Sequence, residues 1–163
     1  SRVARSNTLA LLTLGAKVRL VGPPTLLSPE FCHWGATFHH DLRTGLADAD
    51  VVMALRLQRE RQERNFLPSV EGYARHFCIT PATLAVAKSD VLVMHPGPMN
   101  RGIEIASEVA DGPYSMILDQ VTNGVAVRMA ILYLLTAQGK DMHEERSEPT
   151  KEDRTLKRRM VSR

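Results

Sequence analysis

The sequence is poor in the features that usually announce a compartment or a large partner. Its two cysteines, Cys32 and Cys78, lie far apart and show no paired spacing with each other or with histidine. This excludes a disulfide framework and suggests no zinc site, so no metal is expected and a reducing, cytoplasmic setting is the default. No apolar run approaches the roughly 18 to 20 residues needed to span a bilayer, and no charged, then apolar, then small-residue signal opens the chain. No serine or cysteine stands in a recognisable nucleophile relay. Charge of one sign is also scarce. The formal net charge is +3 over 163 residues, and the segment from Gly139 onward, with eight Lys/Arg against six Asp/Glu, supplies two of those charges. Residues 1–138 hold thirteen basic and twelve acidic side chains, a balance that offers no field for steering onto nucleic acid or anionic lipid. Any electrostatic argument must therefore rest on particular arginines.

A hydrophobic content of 44% is enough for one sizeable core. The first residue is Ser1 rather than Met, and a helical pattern begins at once, as though a preceding strand had been removed; the start reads as a cut. Val3, Leu9 and Leu12, with Ala10 and Leu11 beside them, place a helix over 2–14, with Gly15 as its stop. The alternating run 17–22 predicts a strand that ends at Pro23-Pro24. Weaker patterns predict a short helix at 29–34, a strand at 36–39 and a helix at 42–47. The continuous apolar runs Val51 to Leu55 and Val91 to Met94 have the length and composition of central parallel strands buried on both faces. Between them come a polar loop over 59–67, a helix around 70–76 and another after Pro81. A final apolar helix over 116–137 is expected to pack back on the sheet. The fold class is thus α/β, a Rossmann-like three-layer domain with a parallel sheet covered by helices on both faces. The domain is expected over 1–138, with 139–163 a charged, disordered tail whose composition cannot bury enough surface to offset ordering. The tail's basic cluster Lys157-Arg158-Arg159 could touch RNA or a partner, or simply be solvated.

Open parallel sheets bind ligands at the C-terminal ends of their strands. Directly after the first run come Arg56, Leu57 and Gln58; in an extended chain Arg56 and Gln58 point to one side and offer a guanidinium fork and an amide to a small carboxylate. The alternative is that Arg56 merely opens the solvated charged run 56–64. After the second run come His95-Pro96-Gly97-Pro98. Two prolines remove two backbone donors and hold the path rigid, leaving carbonyl oxygens to accept hydrogen bonds from an amide –NH₂; the alternative is a plain structural turn. His95 by itself is more often a satisfied structural histidine than a base. At the start, Arg2 and Arg5 are neighbours on a helix, and Arg2 lies at its N-terminus, where the backbone favours an anion. An ordinary solvated first turn is the competing account.

Together, the segments Ser1 to Asn7, Gly22 to Leu27, Arg56 to Arg61 and His95 to Ile105 resemble, in order and spacing, the catalytic chain of the bacterial aspartate carbamoyltransferase family. Gln120 to Met129 is similar to that family's closing helix, so the likeness covers about residues 1–137. The resemblance implies transfer of the carbamoyl group of carbamoyl phosphate to L-aspartate in pyrimidine biosynthesis, with no cofactor. It implies that Arg2 and Arg56 hold the aspartate carboxylates with Gln58 beside them, and that Gly97 and Pro98 offer backbone carbonyls to the carbamoyl –NH₂. The family's phosphate-binding Ser-Thr-Arg-Thr-type loop and its carbonyl-polarising histidine and arginine belong to an N-terminal carbamoyl-phosphate domain and are absent here, as is a serine and lysine loop lent by the neighbouring subunit of a homotrimer. No turnover is expected from the chain alone. Regulatory or dihydroorotase-like chains are further expected partners of the parent enzyme; nucleic acid and membrane are not. An ornithine-type carbamoyltransferase would carry Ser-Met-Gly and His-Cys-Leu-Pro instead, and a non-catalytic Rossmann-like interaction module is the rival from another class.

Overall fold

The computed structural model describes residues 2–57 and 69–147, with side-chain environments as far as Ala137. Helix α1 spans Arg2–Thr13 and leads to strand β1, Arg19–Val21. A 3-10 turn at Pro24–Leu26, helix α2 at Glu30–His33 and strand β2 at Thr37–His39 follow. Helix α3, Leu42–Leu46, precedes strand β3, Val51–Met53. Helices α4, Val70–Phe77, and α5, Pro81–Leu84, precede strand β4, Leu92–Met94; α6, Ser107–Ala110, and α7, Ile117–Ser147, complete the order. The elements from α1 to β4 agree with the sequence expectations to within a few residues, whereas α6 was not expected and α7 runs beyond the expected end at 137.

The helix starts have local causes. The Asp41 carboxylate accepts from the Thr44 amide at 2.9 Å to cap α3, and the Ser69 hydroxyl accepts from the Gly72 amide at 2.8 Å to cap α4. Thr80 and Thr83 form a reciprocal capping box ahead of α5, with Pro81 at its first position. Each such cap contributes about 1 kcal/mol by satisfying amides that no helical carbonyl can reach.

All strand pairing is parallel, as the α/β class requires: β1 pairs with β2, Leu20 opposite Phe38, and β3 with β4, Val52 opposite Val93. On the far side of β4, the Val93 amide donates to Tyr114 O and Val93 O accepts from the Met116 amide, each at 2.8 Å. Helix α3 lies so close to β1 that a Cβ on Gly45 would collide with Val21 Cγ2. Glycine at that position is a packing requirement.

The expected burial of the central strands needs correction. The runs around β3 and β4 were expected to be buried on both faces, yet they alternate: Val52 and Val93 are 5% and 0% exposed, while Val51 and Leu92 are 49% and 43% exposed. The two pairs also stand as separate two-stranded ladders. A short apolar run carries no periodicity from which one buried face could be told from two. The buried face joins Leu46, Leu84, Ile105 and Ile117 in the core. Burying a side chain such as Ile105 or Val93 there is worth about 1.5 to 3 kcal/mol.

The chain divides into two compact units within α7, between Val121 and Thr122. The first unit carries every strand among the described residues. In the second, α7 continues to Ser147, so the part of the expected disordered tail from Gly139 to Ser147 is helical. The physical reason is that extending an existing helix avoids the nucleation cost, and Gln, Lys, Met, Glu and Arg in this stretch are good helix formers, which offsets the roughly 1 kcal/mol cost of Gly139. Within the second unit, Met129, Leu132, Leu134 and Leu135 of α7 are exposed. Among the described residues, no helix is long and apolar enough to cross a membrane.

Candidate functional site

The two strand ends singled out by the sequence lie side by side. Beyond Met53 the β3 chain stays parallel to β4, with the Ala54 amide donating to Met94 O at 2.9 Å. It then passes through half-buried Arg56 to buried Leu57. Beyond Met94 the second chain turns at His95-Pro96-Gly97-Pro98, with Gly97 at φ +64°. That left-handed region is readily open only to glycine.

His95 is wholly buried beneath the exposed Gly97 and Pro98. Its Nδ1 accepts a hydrogen bond from the Gly97 amide at 2.9 Å, and its Nε2 lies 3.3 Å from Glu104 Oε1. An Nδ1 that accepts cannot carry a proton, so the ring is the Nε2–H tautomer, donating to the carboxylate. Its own backbone amide donates to Gln120 Oε1 at 2.9 Å, from the first turn of α7. The chemical consequence concerns the turn. Pro96 and Pro98 have no N–H, and the Gly97 N–H is used internally. The stretch therefore presents carbonyl oxygens and no donor, matching the sequence argument for an –NH₂ partner.

Glu104 is 2% exposed and holds this base together. Oε1 accepts from both His95 Nε2 and the Asn100 amide. Oε2 makes no hydrogen bond among the described residues. Burial pushes the carboxyl up, but the bonds from His95 and Asn100 and the nearby Leu57 amide outweigh it and hold Glu104 below the usual carboxylate range. Its charge is felt in turn: the half-buried Tyr73 hydroxyl is pushed up to about 12, chiefly by burial and further by Glu104. Asn100 completes the link, donating from Nδ2 to Leu57 O at 3.1 Å. The acceptor turn is thus linked, through His95, Glu104 and Asn100, to the residue that follows Arg56.

The predicted cations are placed unequally. Arg56 is half-buried at the end of β3, whereas Arg2 is exposed on the first turn of α1. The Asn7 amide nitrogen of α1 lies 3.3 Å from Met53 Sδ, which sets that helix against the end of β3. Arg5, considered beside Arg2 as an anion ligand, is committed elsewhere: it makes two hydrogen bonds to Glu30, at 2.7 and 3.1 Å, and its guanidinium lies 5.0 Å from the Trp34 ring centroid. Gln58 and the loop over 59–67 lie outside the described residues. No group of three His, Cys, Asp or Glu stands together as a metal site among the described residues.

A cavity of about 370 Å³ lies at the other end of β4, lined by Leu84, Lys88, Val91, Val109 and Tyr114 among others. It faces the residues that enter the strand. The chemistry described above lies where the strand ends, so cavity size is no guide to the site here. Sequence reasoning passed over Glu104, Asn100 and Gln120. One signal was available: Glu104 stands between Ile103 and Ile105, and a lone carboxylate in an apolar stretch is rarely buried without a task.

Residues 1–135 match the family model of the aspartate/ornithine carbamoyltransferase Asp/Orn-binding domain. The chain is 55% identical over 136 residues to an aspartate carbamoyltransferase catalytic subunit of Thermosynechococcus vestitus, covering 83% of this chain and 41% of that protein. It is 58% identical over 135 residues to the corresponding subunit of Rhizobium johnstonii, covering 83% and 42%. It therefore spans less than half the length of these relatives. Among solved structures, the ornithine carbamoyltransferase from Pyrococcus furiosus superposes with a TM-score of 0.67 at 27% identity, over 79% of this chain and 44% of that one.

Proposed function

Since the chain belongs to the aspartate/ornithine carbamoyltransferase family through its Asp/Orn-binding domain, we propose that it supplies the L-aspartate side of an aspartate carbamoyltransferase. The observation that carries this reading is the pairing of an acceptor-only turn with a cationic strand end, joined by the bond from Asn100 Nδ2 to Leu57 O at 3.1 Å. The reaction needs both. Arg56 and Arg2 would hold the two aspartate carboxylates, with Gln58 beside them, because planar guanidinium forks match carboxylate geometry. The carbonyls of Gly97 and Pro98 would accept from the carbamoyl –NH₂ and orient its carbon toward the aspartate amine. The amine nitrogen attacks that carbon and a tetrahedral oxyanion forms. The C–O bond to phosphate then breaks and the amine proton leaves to phosphate or water, giving N-carbamoyl-L-aspartate and phosphate. Holding two reactants in such an arrangement can lower the barrier by about 7 to 11 kcal/mol.

The phosphate clamp and the oxyanion donors would come from a carbamoyl-phosphate domain carrying a Ser-Thr-Arg-Thr-type loop, in a cytoplasmic homotrimer whose neighbouring subunit completes the site. Association with regulatory or dihydroorotase-like chains belongs to the same proposal. Aspartate is preferred over ornithine because the loop reads His-Pro-Gly-Pro and Ser-Met-Gly is absent. The relatives at 55% and 58% identity are aspartate enzymes.

The test is reconstitution. The chain is mixed with the carbamoyl-phosphate-binding half of a relative, and carbamoyl aspartate is assayed. The chain alone should be silent and the mixture active, and Arg56→Ala should lower kcat/KM for aspartate on the order of 100-fold, the loss of a charged bidentate contact. A folded, associated pair that stays silent, or that prefers ornithine, overturns the proposal.

A further inference from the structure

The mechanism above uses the turn and the cationic strand end as two separate subsites and gives no task to the buried carboxylate between them. Glu104 meets both. Oε1 accepts from His95 Nε2, and His95 in turn accepts from the Gly97 amide, so one chain of bonds reaches the base of the acceptor turn. The same Oε1 accepts from the Asn100 amide, and the Asn100 side chain donates to Leu57 O, so a second chain reaches the residue after Arg56. The two chains meet on one oxygen of a side chain that is 2% exposed.

A merely structural acid in a core would satisfy neighbours of its own element. Glu104 accepts from His95 and Asn100 and, through the Asn100 side chain, is linked to Leu57 after β3; His95, Gly97, Asn100 and Leu57 all lie at or within two residues of Arg56, Gly97 or Pro98. We propose that Glu104, acting through His95 and Asn100, is a positioning residue that holds the carbamoyl-accepting turn in register with the carboxylate-binding strand end. This rests on the function proposed above and adds to it the element that sets the distance between the two substrates. Glu104 touches neither substrate. Its effect falls on geometry: with the acceptor removed, His95 is free to exchange tautomers, the Gly97 N–H loses its partner, and the turn ceases to be purely an acceptor.

Glu104→Met keeps the length of the side chain and removes both acceptors, Glu104→Gln restores an accepting oxygen without the charge, and Asn100→Ala cuts only the branch to Leu57. In ¹⁵N-labelled chain at neutral pH, His95 should show the two-bond ¹⁵N–¹H pattern of an Nε2–H imidazole. Glu104→Met should abolish that preference and move the amide resonances of Gly97, Asn100 and Leu57 together, Gln should bring most of them back, and Asn100→Ala should move Leu57 while leaving Gly97 in place. In the reconstituted enzyme, Glu104→Met should lower kcat at saturating substrates by about 10- to 100-fold with partial rescue by Gln; a change of this size is about 1.4 to 2.7 kcal/mol of lost orientation.

An Nδ1–H tautomer in the wild-type chain overturns the proposal. So do Gly97 and Leu57 resonances that ignore Glu104, or a folded Glu104→Met enzyme with wild-type kcat. If the wild-type mixture is itself inactive, the carbamoyltransferase reading fails, and the resonance pattern alone decides whether the bridge exists. Should Glu104→Met not fold, Asn100→Ala against Glu104→Gln carries the same comparison.

Discussion

The turn after β4 and the cationic groups beside it are neighbours, yet they differ in burial. The turn rests on a wholly buried histidine whose two ring nitrogens and backbone amide are all engaged. The cationic side offers a half-buried Arg56 and an exposed Arg2. Hydrogen bonds in a buried base strengthen one another and cannot be traded for water, so the turn keeps its shape before any ligand arrives. The exposed Arg2 guanidinium is screened by salt and can turn toward a carboxylate. The difference suits the two tasks proposed for them. Carbonyl acceptors are useful only when fixed, because a flexible backbone would find its own donors, whereas a cationic fork keeps its charge in any rotamer.

The comparison can be broken most severely from the buried side. Glu104→Ala leaves the His95 Nε2–H and the Asn100 amide without acceptors in a buried setting, and should cost about 3 kcal/mol in denaturant unfolding. An unchanged midpoint would show that the base is less dry than its burial indicates. The same carboxylate sets an acid dependence. Its folded pKa lies below the ordinary 4.5, so its contribution is present above the unfolded value and is lost as pH falls through the folded one. Glu104→Gln should therefore flatten the decline of stability below about pH 4.5.

Overpacking comes next. Gly45→Ala drives a methyl group into Val21 and should cost about 1 to 3 kcal/mol, without altering the resonances of the turn. On the cationic side, Arg56→Ala, at a half-buried position, should cost about 1 kcal/mol of stability while removing most of the affinity for aspartate. A large loss of stability there would mean that Arg56 is structural. The smallest effect belongs to Arg5→Ala, which gives up an exposed ion pair with Glu30 and contact with Trp34. It should cost at most about 1 kcal/mol, less at high salt.

Element order was legible in the sequence because it depends on local chemistry. The helix over Arg2–Thr13, the α5 start at Pro81 and the strands near Val51 and Leu92 follow from periodicity, caps and proline, which act over a few residues. The acceptor character of Pro96-Gly97-Pro98 was legible for the same reason, since proline lacks an N–H in any fold. Burial was less legible. The runs at β3 and β4 read as doubly buried and are not, and α7 both keeps apolar side chains exposed and runs on to Ser147. Whether an apolar residue is covered depends on what lies opposite, and helix persistence depends on a turn already formed upstream.

The family resemblance was carried by four ordered motifs that any folded chain with this sequence must contain. What only the tertiary structure decided is the use of Glu104. In sequence it is one charge between two isoleucines, nine residues from His95 and 47 from Leu57. In space a single oxygen serves His95 and Asn100, and Asn100 reaches Leu57. A buried carboxylate is worth keeping only when donors from several segments converge on it, and that convergence is a property of the folded chain.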